Sequence, residues 1–328
     1  MEREAASRIA HAGATWPDTV DDIFGGDCVV TLGYVAPASG SRGRRMKLSI
    51  NLRNWGPYST RALVLEFARA VDESGLDTVW INERLAWSSP VPEVTTARTL
   101  DPFATLAFLA AATRRVGLGT AVLNLPFRPA LPTAKWVATL QDLSGGRVRL
   151  GVGAGWMEAE FRALGIDLKR RGTLTDETLD VLHHCFENDV VELNGQSILF
   201  QPRPVRPPIY VGGWPPHALR RAVRYGEGWI PTGMDPEALE PGIVQLRELS
   251  DAAGRPPLEV IAMKTLPLED LPRAVECARR FRDVGVTHLV HTQAYDTVAE
   301  YRRTIAVLEE HIRPALSWNR RTSELDRT

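Results

Sequence analysis

Two glycine-rich runs stand where this chain could most readily build a binding site. Val211-Gly212-Gly213-Trp214-Pro215-Pro216 reads as a strand end, two glycines, and a pair of prolines suited to the start of a helix. Glycine lets a backbone come close to a ligand, and free N–H groups at a helix N-terminus attract phosphate. The same residues also suit a tight turn that holds nothing, and spacing alone leaves both readings open. The second run is Gly151-Val152-Gly153-Ala154-Gly155-Trp156. It is not a dinucleotide fingerprint, because no glycine falls three residues beyond Gly153. Its glycines either make room for a flat ring, with Trp156 as a wall, or mark a bulged strand end with Trp156 in the core.

Other chemistries find little support. The 7 histidines do not cluster, His183 and His184 fall inside a helical stretch, and no metal site is expected. No GxSxG elbow is present. Cys28, Cys185 and Cys277 are odd in number and far apart, which suits reduced thiols better than a disulfide framework or a zinc site. The net charge of -1 provides no global field for nucleic acid or an anionic membrane. Short basic runs at Arg42–Arg45, Lys169–Arg171 and Arg220–Arg224 read as solvated faces. No apolar run approaches the ~20 residues that cross a bilayer. Asp18, Asp21, Asp22 and Asp27 interrupt the region where a signal peptide would be apolar, so the expected location is the cytoplasm.

The elements that must position these runs begin at Met46. Residues 1–45 are rich in Gly, Ala, Ser and Asp, and only Cys28–Val35 has strand character, so they read as a poorly ordered extension. Strands are then expected at Lys47–Leu52, Thr78–Ile81, Val116–Leu123, Val148–Val152, Ile209–Val211, Gly228–Ile230, Leu258–Ala262 and His288–Val290. Helical stretches follow each: one carrying Leu63, Phe67, Ala70 and Val71 on a face, then 102–114, 132–143, 157–164 with 173–187, 215–225, 236–253, 270–284 and 297–313. Asp101-Pro102 supplies an N-cap and a first-turn proline. Val191–Phe200 reads as an inserted hairpin around Asn194-Gly195. Alternation of this kind predicts an α/β fold, a (β/α)8 (TIM) barrel over 46–316 with short insertions at the C-terminal strand ends and a polar tail at 317–328.

A barrel carries its site at the C-terminal ends of its strands. That rule selects Asn51–Trp55, Asn82–Trp87, Thr120–Leu125, Gly153–Trp156, Gly212–Trp214, Pro231–Gly233, Met263–Thr265 and His291–Gln293. The long segment Leu85–Thr99 lies on the same side, where it could cover a substrate.

Taken together, several stretches resemble the luciferase-like family, above all its coenzyme F420-dependent (deazaflavin) branch. They are Gly75–Trp80, Val116–Leu123, Ala138–Arg147, Gly151–Trp156, the Pro202–Gly213 run and Gly226–Trp229, and the likeness runs in register over about 46–235. The resemblance implies an oxidoreductase that moves hydride between coenzyme F420 and a small organic substrate. Its alternatives are an FMN-dependent monooxygenase fed reduced flavin by a separate reductase, or a cofactor-binding barrel without catalysis. It also implies a cofactor phosphate at Gly212, Gly213 and Trp214, with Thr232 as a neighbour and Lys264 toward an anionic tail. The central ring would lie against Ala121, Val122, Asn124, Gly155 and Trp156, with a cis peptide at Ala121–Val122. Family members often have an acidic residue and then histidine after the second strand. Here Glu83 matches and Arg84 replaces the histidine, so a fixed cation stands where a proton shuttle would be. Relatives are commonly dimers, and a homodimer is the expectation.

A chain that begins at Met46 is expected to melt at nearly the temperature of the full chain. A loss above ~2 kcal/mol in urea unfolding would show that residues 1–45 belong to the core.

Overall fold

The computed structural model describes residues 45–87 and 98–317. The expected extension with its Cys28–Val35 strand, nearly all of the C-terminal tail, and most of the Leu85–Thr99 cover fall outside the described residues.

Strands β1 (Lys47–Asn51), β2 (Thr78–Ile81), β3 (Gly117–Thr120), β4 (Leu123–Asn124) and β5 (Val148–Gly153) come first. After the antiparallel hairpin β6 (Val190–Leu193) and β7 (Gln196–Leu199) come β8 (Ile209–Gly212), β9 (Gly228–Ile230), β10 (Glu259–Lys264) and β11 (His288–His291). All ladders between these strands other than the hairpin's are parallel, and an isolated antiparallel bridge joins Trp55 to Thr99. The parallel ladders run β2–β1–β11–β10–β9–β8–β5, and β3 joins β2 to β5 and so closes the ring. The expected strand Val116–Leu123 is divided. Its first part pairs with β2 and β5, the peptide Ala121–Val122 is cis, and Leu123 then resumes pairing at Val152. Counting β3 and β4 as one stave gives a closed (β/α)8 barrel.

The helices are α1 (Arg61–Glu73), α2 (Pro102–Ala112), α3 (Ala130–Leu143), α4 (Glu158–Ala163), α5 (Arg171–Glu187), α6 (His217–Tyr225), α7 (Pro236–Ala252), α8 (Leu271–Asp283) and α9 (Val298–Val307). Asp101 caps α2 by accepting from the Ala104 N–H, and Pro102 occupies its first turn, as the sequence suggests. The expected helix 297–313 is α9 continued by a π turn over Leu308–Ile312, and its apolar stripe of Tyr301, Ile305, Leu308 and Ile312 is buried throughout. Apolar side chains on both sides of the sheet form the core. The larger part lies between strands and helices, and a smaller plug inside the barrel contains Trp80, Tyr210, Ile230, Ile261, Met263 and Val290. Because the interior is filled, the rim above the plug is where a ligand can sit.

Two strand histidines are buried without a carboxylate beside them. In β11, His291 Nδ1 accepts from the Leu266 N–H at 3.2 Å, so Nε2 carries the proton and donates to Gln293 Oε1 at 3.1 Å. Burial pushes His291 down to about 4, although its Gln293 bond works the other way. At the opposite end of the same strand, burial and the charges of Lys47 and Arg149 hold His288 well below the usual histidine range. Between the depressed folded value and the ordinary unfolded one, the unfolded chain binds more protons. The stabilisation from neutral burial is therefore complete above pH ~6.5 and lost as pH falls toward the folded values. The melting temperature is expected to decline from pH 6.5 to 4, and His291→Gln should flatten that slope even if it lowers the plateau. An unchanged slope in the variant would show that His291 does not contribute to it.

Candidate functional site

At the carboxyl ends of the strands a cavity of about 750 Å³ opens. Its floor is the divided stave. Asn82, just beyond β2, donates from Nδ2 to the Ala121 carbonyl at 2.9 Å. Asn54, just beyond β1, holds Asn82 in turn: Nδ2 donates to the Asn82 carbonyl at 2.7 Å, and Oδ1 accepts the Asn82 N–H at 3.2 Å. The Val122 side chain beside that peptide fills the space left by two glycines. A Cβ on Gly153 would lie 2.6 Å from Val122 Cγ2, and one on Gly212 would lie 2.7 Å from Cγ1. Gly153 and Gly212 therefore make room for the protein's own Val122, while Gly151 lies against the Thr120 carbonyl and Gly155 against Phe161. Trp156 is not in the core; it is 73% exposed and lines the cavity.

Glu83 and Arg84 share a strand end and face different partners. The Glu83 carboxylate is buried, accepts the Asn124 N–H at 2.5 Å, and forms an ion pair with Arg128. Burial pushes its carboxyl up, against the pull of Arg128 and of the Asn124 N–H toward the charged form. Glu83 thus anchors the start of the Asn124 segment while it also lines the cavity. Arg84 does not pair with Glu83. Its Nη1 donates to Glu160 Oε2 at 3.2 Å and lies 3.0 Å from Met157 Sδ, while Glu160 Oε1 accepts the Leu85 N–H at 2.7 Å. The guanidinium carbon lies 5.0 Å from the Trp87 ring centroid and 5.2 Å from that of Trp156.

The other end of the cavity is the Gly212-Gly213 turn. Gly213 has φ +121°, a conformation that side chains disfavour, and its carbonyl accepts from Trp229 Nε1 at 2.9 Å. The turn leads through Pro215 and Pro216 into α6. Arg171 at the start of α5, together with Arg221 and His217 of α6, lines this end. Asp176 engages Arg221 at 2.6 Å, whereas Arg171 forms no ion pair among the described residues and donates only to the Leu168 carbonyl, at 3.0 Å. This is a cationic pocket beside a helix N-terminus, the arrangement that binds phosphate.

Ala121, Val122, Asn124, Gly155, Trp156, Gly212, Gly213, Trp214 and Thr232 line one cavity with Glu83 and Arg84. Lys264 does not line it. It ends β10, pairs with Asp235 at 2.8 Å, and borders two smaller hollows shared with Thr265. Two arginines in runs read as solvated faces, Arg171 and Arg221, line the cavity instead. The proximity of each run to the glycine turn is created by the packing of α5 on α6, as in the Arg221–Asp176 pair, and no spacing within either run announces it. Glu160 and Arg128 were equally hidden, since each meets its partner across the fold. Among the described residues no group of His, Cys, Asp or Glu could hold a metal ion, and no helix is long and apolar enough to cross a membrane.

A family model for luciferase-like monooxygenases matches residues 46–317, and the chain belongs to that family. The match continues well past residue 235, where the sequence likeness weakened. An uncharacterised protein of Mycobacterium tuberculosis is 32% identical over 198 residues, 58% of this chain and 67% of the relative. Among solved structures, an F420-dependent secondary alcohol dehydrogenase in complex with an F420–acetone adduct is similar at 18% identity with a TM-score of 0.68, over 83% of this chain and 99% of that one. The FMN-bound oxygenating constituent of 3,6-diketocamphane monooxygenase from Pseudomonas putida is similar at 14% identity with the same TM-score of 0.68, over 84% and 100%. Members of the family are oxidoreductases or monooxygenases, and the fold is common to both kinds.

The Val122 notch yields a direct test. Gly153→Ala should destabilise the protein by about 1–3 kcal/mol, the usual cost of overpacking, in urea unfolding. Adding Val122→Ala should return part of that loss, whereas strict additivity would show that the two side chains do not compete for one space.

Proposed function

We propose that this protein is a coenzyme F420-dependent oxidoreductase transferring hydride between the deazaflavin and a small organic substrate. The observation that carries this reading is the distribution of charge along the cavity. At one end Arg171, Arg221 and His217 gather at the Gly212-Gly213 turn, and Lys169 and Arg170 immediately precede α5 in sequence. A cationic cluster at a glycine turn suits the phosphate of a cofactor, and the sequence-adjacent Lys169 and Arg170 add positive charge that an acidic tail would favour. At the other end the divided stave and the Asn54–Asn82 bonds form a fixed wall for a flat ring. Lys264, paired with Asp235, lies outside this cavity but borders a hollow that shares Thr232 with it.

Bound in this cavity, the deazaflavin supplies the hydride carrier. The chain's part is to hold the phosphate, fix the ring, and stabilise charge on the reacting pair. Arg84 is the residue assigned to that last task. A guanidinium stays protonated at any physiological pH and cannot pass a proton on, so its contribution is electrostatic. Arg84→Met is expected to lower the single-turnover hydride transfer rate by about 10²-fold, the scale for losing an electrostatic donor, and to lower stability as well, because it leaves the Glu160 carboxylate buried without its counter-ion. A wild-type rate would remove Arg84 from the chemistry.

Titration of the full chain with F420 and with FMN, followed by fluorescence, tests the cofactor. F420 is expected to bind more tightly, and Arg171→Glu should weaken it by at least about tenfold, consistent with a lost charge-assisted bond. Tighter FMN binding would favour a flavin monooxygenase supplied by a separate reductase, the reading that the similarity to the FMN-bound oxygenase supports. Binding of neither would favour a barrel without cofactor chemistry.

A further inference from the structure

We infer that the mouth of the cavity binds an uncharged, planar aromatic or conjugated molecule through a single acceptor oxygen, and that Arg84 and Trp87 donate to that oxygen. The inference rests on the reading of the inner cavity as a cofactor site and adds the substrate class. Its first support is the pairing of Arg84. Glu160 is 4% exposed and its carboxylate engages only Nη1 of the guanidinium, so the pair is close to neutral as a unit. Among the described residues Nε and Nη2 of Arg84 make no hydrogen bond, and the side chain retains 19% of its exposure. These N–H groups belong to a guanidinium whose charge the adjacent Glu160 offsets, and they suit a carbonyl or ether oxygen better than a carboxylate. A carboxylate brought to Arg84 would also meet the Glu160 charge, buried where screening is weak.

The second support is Trp87. Its indole Nε1 is buried and has no hydrogen-bond partner among the described residues, although the side chain lines the cavity. An orphaned buried donor costs free energy unless something accepts from it. An oxygen near the Arg84 guanidinium, whose carbon lies 5.0 Å from the Trp87 ring, would fill that need.

The third support is apolar area. Trp156 lines the same cavity, has its ring centroid 5.2 Å from the Arg84 guanidinium carbon and is 73% exposed. Large aromatic side chains left open at a pocket mouth are the usual anchors for a flat apolar ligand. Together these features describe a slot with aromatic walls and two neutral-acting donors at one edge. A small aliphatic alcohol would leave the walls uncovered, and a carboxylate would face Glu160.

Isothermal titration of the full chain tests this with three probes: 2-acetylnaphthalene, 2-naphthoate and acetylcyclohexane. The protein is saturated with whichever cofactor binds, or used alone if neither does, so failure of the cofactor reading leaves this measurement intact. The aromatic ketone is expected to bind at least tenfold more tightly than either the carboxylate or the saturated ketone. Glu160→Gln keeps an acceptor for Leu85 while removing the negative charge, and should strengthen 2-naphthoate by tenfold or more, narrowing or reversing the preference. Should that variant fail to fold, Arg84→Met should weaken 2-acetylnaphthalene about tenfold without admitting the carboxylate. Equal affinity for the flat and saturated ketones, or a wild-type preference for 2-naphthoate, would overturn the proposal. So would a Glu160→Gln or Arg84→Met variant with the wild-type pattern.

Discussion

The pairing of β3 with β5 closes the sheet, and the rest of the molecule follows from that closure. A closed parallel sheet has no edges, and it brings the carboxyl ends of all its strands to one rim. Residues far apart in the chain become neighbours there: the Gln293 N–H donates to Asn51 Oδ1 across 242 positions. Below the rim the barrel is packed with Trp80, Tyr210 and their apolar neighbours. Whatever binds must lie across the opening, and the opening already has a cationic side at Arg171 and Arg221 and an aromatic side at Trp87 and Trp156.

The rim itself is held by backbone-directed side chains. Asn54 and Asn82 secure the Ala121 carbonyl, Glu83 secures the Asn124 N–H, and Glu160 secures the Leu85 N–H. Each of these links joins one strand-end loop to another or, for Glu160, to the short helix α4. The binding surface is thereby shaped by polar contacts between loops whose outer ends are packed into the core, a rigid support for groups that must meet a ligand at fixed positions.

Much of this was legible in the sequence. Strand and helix alternation from Met46 onward marked the barrel because hydrophobic period and turn residues are local signals, and Asp101-Pro102 and Asn194-Gly195 behave as their chemistry dictates. The glycine runs pointed to the rim. What they did there was not legible: Gly153 and Gly212 serve Val122, a residue from another strand, and only the three-dimensional register shows it. The same limit hid Arg171, Arg221, Glu160 and Arg128. A charged residue on a helix looks solvated until the neighbouring helix is in place. Glu83 and Arg84, adjacent in sequence and opposite in charge, invited pairing with each other, yet neighbouring residues around a strand end point different ways, and each found its counter-ion elsewhere.

The buried Glu83–Arg128 pair has a consequence for how this sequence can change over time. Glu83 is inaccessible, and the Arg128 side chain is 9% exposed, so neither can turn to solvent when its partner is lost. Removing Arg128 strands the buried Glu83 charge, and removing Glu83 leaves Arg128 only its pair with the more exposed Asp101, whereas exchanging both for apolar residues need cost little. The two positions therefore form one heritable unit. Descendants of this chain should keep both residues or abandon both, and a lineage caught between the two would survive only while the rest of its barrel had stability to spare.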